Sequence, residues 1–105
     1  MKNVLFDTCV PRPLRASLSG HNVRRAQEQG WGALKNGELL QMAATGGFDV
    51  FVTSDKNLQY QQNLKDRAIA ILVLPTNDWQ TLKKRTAEIA AAVDAIQPGQ
   101  YQELI

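Results

Sequence analysis

The chain is short of several things, and each shortage excludes a class of protein. It has one cysteine, Cys9, and one histidine, His21. A single thiol excludes an internal disulfide framework and any zinc cluster built on several thiolates, and it fits a reducing cytoplasm. No apolar run approaches the roughly 18 residues a membrane span needs, and no charged-then-apolar leader opens the sequence, so neither membrane insertion nor export is expected. Charge of one sign is also lacking. With 12 Lys or Arg against 10 Asp or Glu the net charge is +2, compatible with a nucleic-acid partner without demanding one. At 105 residues the chain suits one domain, 1–105, because ordinary domains peak at roughly 100 to 150 residues.

What is present is a set of short apolar runs that end abruptly in polar groups. Asn3 to Phe6 runs into Asp7. Asp49 to Thr53 runs into Ser54-Asp55-Lys56-Asn57. Ala68 to Leu74 is continuously apolar up to Pro75. Runs of this kind read as strands buried on both faces. His21 to Ala26 alternates weakly and reads as an edge strand, and Gln100 to Ile105, after Pro98-Gly99, reads as another.

Helical signals fall between these runs. Pro11 and Pro13 suit a first turn, which predicts a short helix to Ser19 with Leu14 and Leu18 buried and Gly20 closing it. Gln27 to Gly37, with three glycines and Trp31, has no period and reads as a loop. Asn36 is the expected N-cap of the next helix, with Glu38 in its first turn, Leu39, Leu40, Met42 and Ala43 as apolar positions, and Gly46-Gly47 as its end. A short helix is expected around Leu58 to Leu64. A long amphipathic helix is expected from Trp79 to Ile96, capped by Asp78, with Leu82, Ile89, Val93 and Ile96 on one face.

This order of elements, strands alternating with helices, predicts a single three-layer α/β domain with a mostly parallel, doubly wound sheet of four to five strands. In such sheets the strand-to-helix loops emerge on the carboxyl edge, and ligands bind where the strand order reverses. A sheet order 2-1-3-4-5 would set the first and third strands side by side, ending in Asp7 and Asp55, with Glu38 opening onto the same edge. Convergent carboxylates of this kind are hard oxygen ligands suited to Mg²⁺ or Mn²⁺. Lys56, Arg12 and Arg15, close in sequence to that edge, are placed to hold a phosphodiester. The expected chemistry is phosphodiester hydrolysis.

Each residue also has a structural reading. Asp7, Glu38 and Asp55 would each serve as a helix cap, dipole partner or turn residue, and it is their joint placement that favours a site. Asp49 reads as a strand start. Lys83-Lys84-Arg85 reads as a solvated helix face, Cys9 as a small packing residue, His21 as a surface residue and Trp31 as packed. A receiver-like domain is disfavoured because Asp7-Thr8 lacks the acidic pair that such a domain carries near its first strand.

The segments Val4-Leu5-Phe6-Asp7 with Pro11, Leu34 to Leu40, and Val52 to Asn57 together resemble the short PIN-like proteins, a reduced branch of the PIN-domain nucleases that includes toxin ribonucleases of bacterial toxin–antitoxin pairs. The resemblance implies a PIN-like domain with a metal-dependent ribonuclease site at Asp7, Glu38 and Asp55, using Mg²⁺ or Mn²⁺. It implies an RNA substrate contacted by Arg12, Lys35, Asn36, Lys56 and Asn57, and as further partners an antitoxin protein or a second copy of this chain. Such proteins often carry further acids where this chain has Thr8 and Asn57. Fewer carboxylates weaken divalent binding, so the alternative is a catalytically weak or inactive binding module in a protein or nucleic-acid complex.

Overall fold

A computed structural model of the protein describes residues 1–56 and 68–105. The helix expected around Leu58 to Leu64 lies outside the described residues, as does Asn57. Five strands form one sheet in the order β2-β1-β3-β4-β5: β1 (Asn3–Phe6), β2 (Asn22–Arg25), β3 (Val50–Thr53), β4 (Ala70–Val73) and β5 (Tyr101–Glu103). Every neighbouring pair is parallel. The sheet is therefore wholly rather than mostly parallel.

The composition of the strands follows from their places in this order. Val50, Phe51, Val52 and Thr53 of β3 and all four residues of β4 are buried, as are Val4, Leu5 and Phe6 of β1, because helices cover both faces of the central sheet. That is why these strands read as runs and not as alternations. The edge strands differ: β2 buries only Val23, and β5 buries none of its residues.

Successive residues along each central strand feed two separate apolar clusters. Val4, Phe6, Val50, Val52 and Leu72 face one side, where they pack with Leu14 and Leu18 of a 3₁₀ helix (Arg12–Leu18) and with Leu82, Ile89, Val93 and Ile96. Leu5, Phe51, Ile71 and Val73 face the other, beneath Leu39, Leu40 and Ala43 of α1 (Asn36–Thr45). Three layers result. Among the described residues no helix is long and apolar enough to cross a membrane.

Three local expectations need correction. The segment 27–37 is not wholly irregular, because Ala26–Gln29 forms a 3₁₀ helix. It ends at Gly30, whose φ of 77° is open to glycine at no steric cost. Lys35, not Asn36, is the N-cap of α1, and it makes no side-chain capping bond. Met42 is 40% exposed, because the stripe defined by Leu39, Leu40 and Ala43 already fills the face turned to the sheet.

The helix expected from Trp79 to Ile96 is two helices, α2 (Trp79–Leu82) and α3 (Thr86–Ala95). Tight turns from Lys84 N to Thr81 O and from Arg85 N to Leu82 O end α2, and Arg85 sits at φ −125° and ψ 19°, outside helical geometry. Its guanidinium forks onto Glu88 and also reaches Ile105 O, so Arg85, on the solvated side as expected, serves in addition as a structural clasp. The apolar stripe hides the break, since Leu82, Ile89, Val93 and Ile96 are all buried as the spacing predicts. Asp78 caps as expected, accepting from Gln80 N and from the Thr81 hydroxyl.

Candidate functional site

Asp7 follows β1, and Ser54 and Asp55 follow β3, the two strands that lie side by side where the order reverses. The ladder continues one residue past β1, with Asp7 N donating to Val52 O at 2.9 Å. Asp7 is only 4% exposed and Thr53 not at all. They are the two buried polar residues found beside the apolar core among the described residues.

Their polar groups are joined. Asp7 Oδ1 accepts from Thr8 N at 2.7 Å, and Oδ2 accepts from Thr53 Oγ1 at 2.6 Å. Thr53 Oγ1 in turn accepts from Asp55 N at 3.0 Å, which fixes the direction of its single proton toward Asp7. Cys9 Sγ lies 3.7 Å from Asp7 Oδ2, and Ser54 Oγ donates to that sulfur at 3.0 Å. Cys9 packs against the apolar core, as its small side chain leads one to expect, and it also belongs to this polar network. The signal for it was its place two residues after a strand-end aspartate.

The ion pairs found among the described residues join Arg15 to Glu28, His21 to Asp94 and Arg85 to Glu88, and none involves Asp7. Its buried carboxylate rests on neutral donors alone. Such a charge is costly to bury and is most strongly stabilised by an arriving cation.

Glu38 lies in the first turn of α1, at the end of the helix that opens on the carboxyl edge, but it is exposed and takes no part in the Asp7 network. Arg12, at the start of its 3₁₀ helix, and Lys35 and Lys56 are exposed on the loops of the same edge. Asn36 is the first residue of α1. Among the described residues no three His, Cys, Asp or Glu side chains gather closely enough to hold one ion.

A three-carboxylate cage is therefore not what this edge offers. Mg²⁺, however, keeps several waters and is commonly held by one or two carboxylates plus substrate phosphate. Asp7 and Asp55 would supply that number: Thr53 ties the Asp7 carboxylate to the backbone N–H of Asp55, and Asp7 has no ion-pair partner among the described residues. The residues fit a divalent ion of that kind.

Two other expectations resolve differently. His21 is not a surface residue: its side chain is 10% exposed, Nδ1 accepts from Lys2 N at 3.0 Å, and Nε2 meets Asp94 Oδ1 at 2.5 Å. Trp31 packs as read, edge-on to Phe48 with ring centroids 6.1 Å apart. Asp49 immediately precedes β3, and its Oδ2 accepts from Asn3 N. No protein-family model matches the chain, and no curated protein or solved structure matches it.

Proposed function

We propose that this protein is a ribonuclease that uses Mg²⁺ or Mn²⁺ to hydrolyse RNA phosphodiester bonds at the carboxyl edge between β1 and β3. The observation that carries this reading is the buried Asp7 carboxylate, held in place by Thr53 and Thr8 with no cationic partner among the described residues, at the position where α/β sheets bind ligands. Asp7 and Asp55 would hold the ion. When bound, such an ion activates water and stabilises charge on a phosphoryl group.

The chain's own groups prepare that site. Thr53 fixes one Asp7 oxygen and the Thr8 backbone the other, so the carboxylate is oriented before any ligand arrives. Burial keeps competing water away from it. Exposed Arg12, Lys35 and Lys56 surround the edge with positive charge for an RNA backbone, and Glu38 stands by in the first turn of α1 to complete the acidic set when substrate binds. The resemblance to short PIN-like proteins supports the further reading that the protein is the toxin of a toxin–antitoxin pair, held in check by an antitoxin protein.

A second reading has one specific observation in its favour: Glu38 lies outside the Asp7 network, and among the described residues no three carboxylates gather there. On that reading the domain is a binding module with no productive metal. Calorimetry with Mn²⁺ and cleavage of single-stranded RNA separate the two. The ribonuclease reading requires Mn²⁺ binding and cleavage that both vanish in Asp55→Asn; no binding, and no cleavage above that control, establishes the binding module.

A further inference from the structure

Beside the carboxylate edge lies a cluster that the site described above leaves unused. Arg25 ends β2 and is the register partner of Phe6, the residue before Asp7, so its backbone is one strand spacing, about 4.8 Å, from that edge. Arg15, in the 3₁₀ helix after β1, donates through Nη2 to Glu28 Oε1, and the same oxygen accepts from Arg25 N at 2.8 Å. Glu28 is held below its ordinary value by the Arg25 N–H first, then by the Arg15 hydrogen bond, with both guanidinium charges adding to the effect. The turn that carries Glu28 is tied to the Asp7 loop, because Gln27 Nε2 donates to Thr8 O at 3.3 Å.

The charges in this corner do not balance. Two guanidiniums face one carboxylate, and exposed Arg12 adds a third cation at the start of the same 3₁₀ helix. The hydrogen bonds do not balance either. Nε of Arg15 and Nε of Arg25 are both buried without a partner among the described residues. A buried, unpartnered guanidinium N–H is expensive unless an acceptor completes it. The acceptor such a corner lacks is an anion with several oxygens, since a guanidinium presents a planar fork that matches phosphate in two bonds.

We infer that Arg15 and Arg25, poised against Glu28, form a phosphate-binding subsite that grips the backbone of single-stranded RNA one strand away from Asp7. Glu28 acts there as a stand-in for the phosphate, occupying the acceptor position between the arginines and yielding to the incoming anion. That the phosphate belongs to RNA rests on the ribonuclease reading; the arginine geometry does not. A phosphodiester held at this corner would extend across β1 toward the Asp7 edge.

The test is fluorescence anisotropy of a labelled single-stranded RNA with the full chain, in EDTA so that no cleavage occurs, at several salt concentrations, with thermal midpoints measured alongside. Arg25→Gln should weaken binding about 10-fold or more and lower the salt slope by about 0.7, one single-strand phosphate contact. Glu28→Gln keeps an acceptor for Arg25 N but removes the competing charge, and should tighten binding roughly 5-fold. Tightening by Glu28→Gln together with weakening by a folded Arg25→Gln bears the subsite out, and Glu28→Gln decides alone where Arg25→Gln does not fold. The inference is overturned if Glu28→Gln leaves affinity unchanged or weaker, if folded Arg25→Gln binds like wild type, or if the wild type binds no RNA. RNA held by these arginines on a protein that never cleaves it would remove the ribonuclease reading and leave the subsite. Cleavage with binding insensitive to both variants would do the reverse.

Discussion

Thr53 donates its hydroxyl proton to Asp7 Oδ2 at 2.6 Å, across a sequence separation of 46 residues. The Thr53 hydroxyl oxygen in turn accepts the backbone N–H of Asp55. One hydroxyl thus fixes the buried carboxylate at the end of β1 and the turn that follows β3.

Replacing that hydroxyl by a methyl group of similar size isolates its contribution. Thr53→Val leaves Asp7 Oδ2 without its closest donor and Asp55 N without its acceptor, and should cost about 1–3 kcal/mol in urea unfolding. Thr53→Ser restores the hydroxyl and should recover most of that loss. Mn²⁺ affinity in Thr53→Val should fall roughly 10- to 100-fold, as for other partners that orient a metal-binding group. A Val variant as stable as wild type would show that the hydrogen bond contributes nothing net.

Asp7→Asn separates the charge from the shape. The amide still offers an oxygen to Thr8 N, and removing an unpaired buried charge offsets part of the lost bond to Thr53. Unfolding free energy should change by less than about 2 kcal/mol, while Mn²⁺ binding and RNA cleavage disappear. Retained cleavage in a folded Asp7→Asn protein would remove Asp7 from the site.

Burial ranks the apolar residues of α1 in a way their spacing does not. Leu40 is fully buried and Met42 is 40% exposed. Leu40→Ala should cost about 2–5 kcal/mol through lost contacts and a residual cavity, and Met42→Ala less than about 1 kcal/mol. Equal losses in chemical denaturation would mean that the face of α1 turned to the sheet is assigned wrongly.

Acid should loosen the clasp at the start of α3. Hydrogen bonds from Arg85 hold Glu88 below its ordinary value, and Glu88 in turn raises Arg85. Because the folded-state value is the lower one, the unfolded chain takes up the proton first as pH falls below roughly 4.3. The contribution of the pair is complete above that pH and fades as pH drops through the depressed folded value. Both groups are solvent-exposed, so the effect is small and salt-sensitive. The thermal midpoint of Glu88→Gln should therefore fall less between pH 7 and pH 3 than that of wild type, and equal falls would show that the pair is energetically silent.

Much of the fold is legible because it is written locally. Val4-Leu5-Phe6, Val50 to Thr53 and Ala70 to Val73 are apolar without alternation, which only a strand covered on both sides explains, and each is a central strand. The stripe of Leu82, Ile89, Val93 and Ile96 locates the buried face of the last helical segment but says nothing of the break at Arg85. At that break Arg85 reaches Ile105 O, a contact that no helical period encodes. His21 is misread for the same reason: its partners are Lys2 and Asp94, from opposite ends of the chain.

The sequence by itself determined that two short buried strands end in Asp7 and Asp55, because burial on both faces forces apolar runs and the polar residue that follows marks where each strand leaves the core. Tertiary structure decided the rest. Pairing β1 with β3 made those ends neighbours, Thr53 turned neighbours into a hydrogen-bonded unit, Glu38 was left exposed outside it, and Arg25 was brought beside Arg15 and Glu28. Apart from the local bond between Arg25 and Glu28, these contacts join residues far apart along the chain. They form only when the sheet order is set, so no local pattern of residues records them.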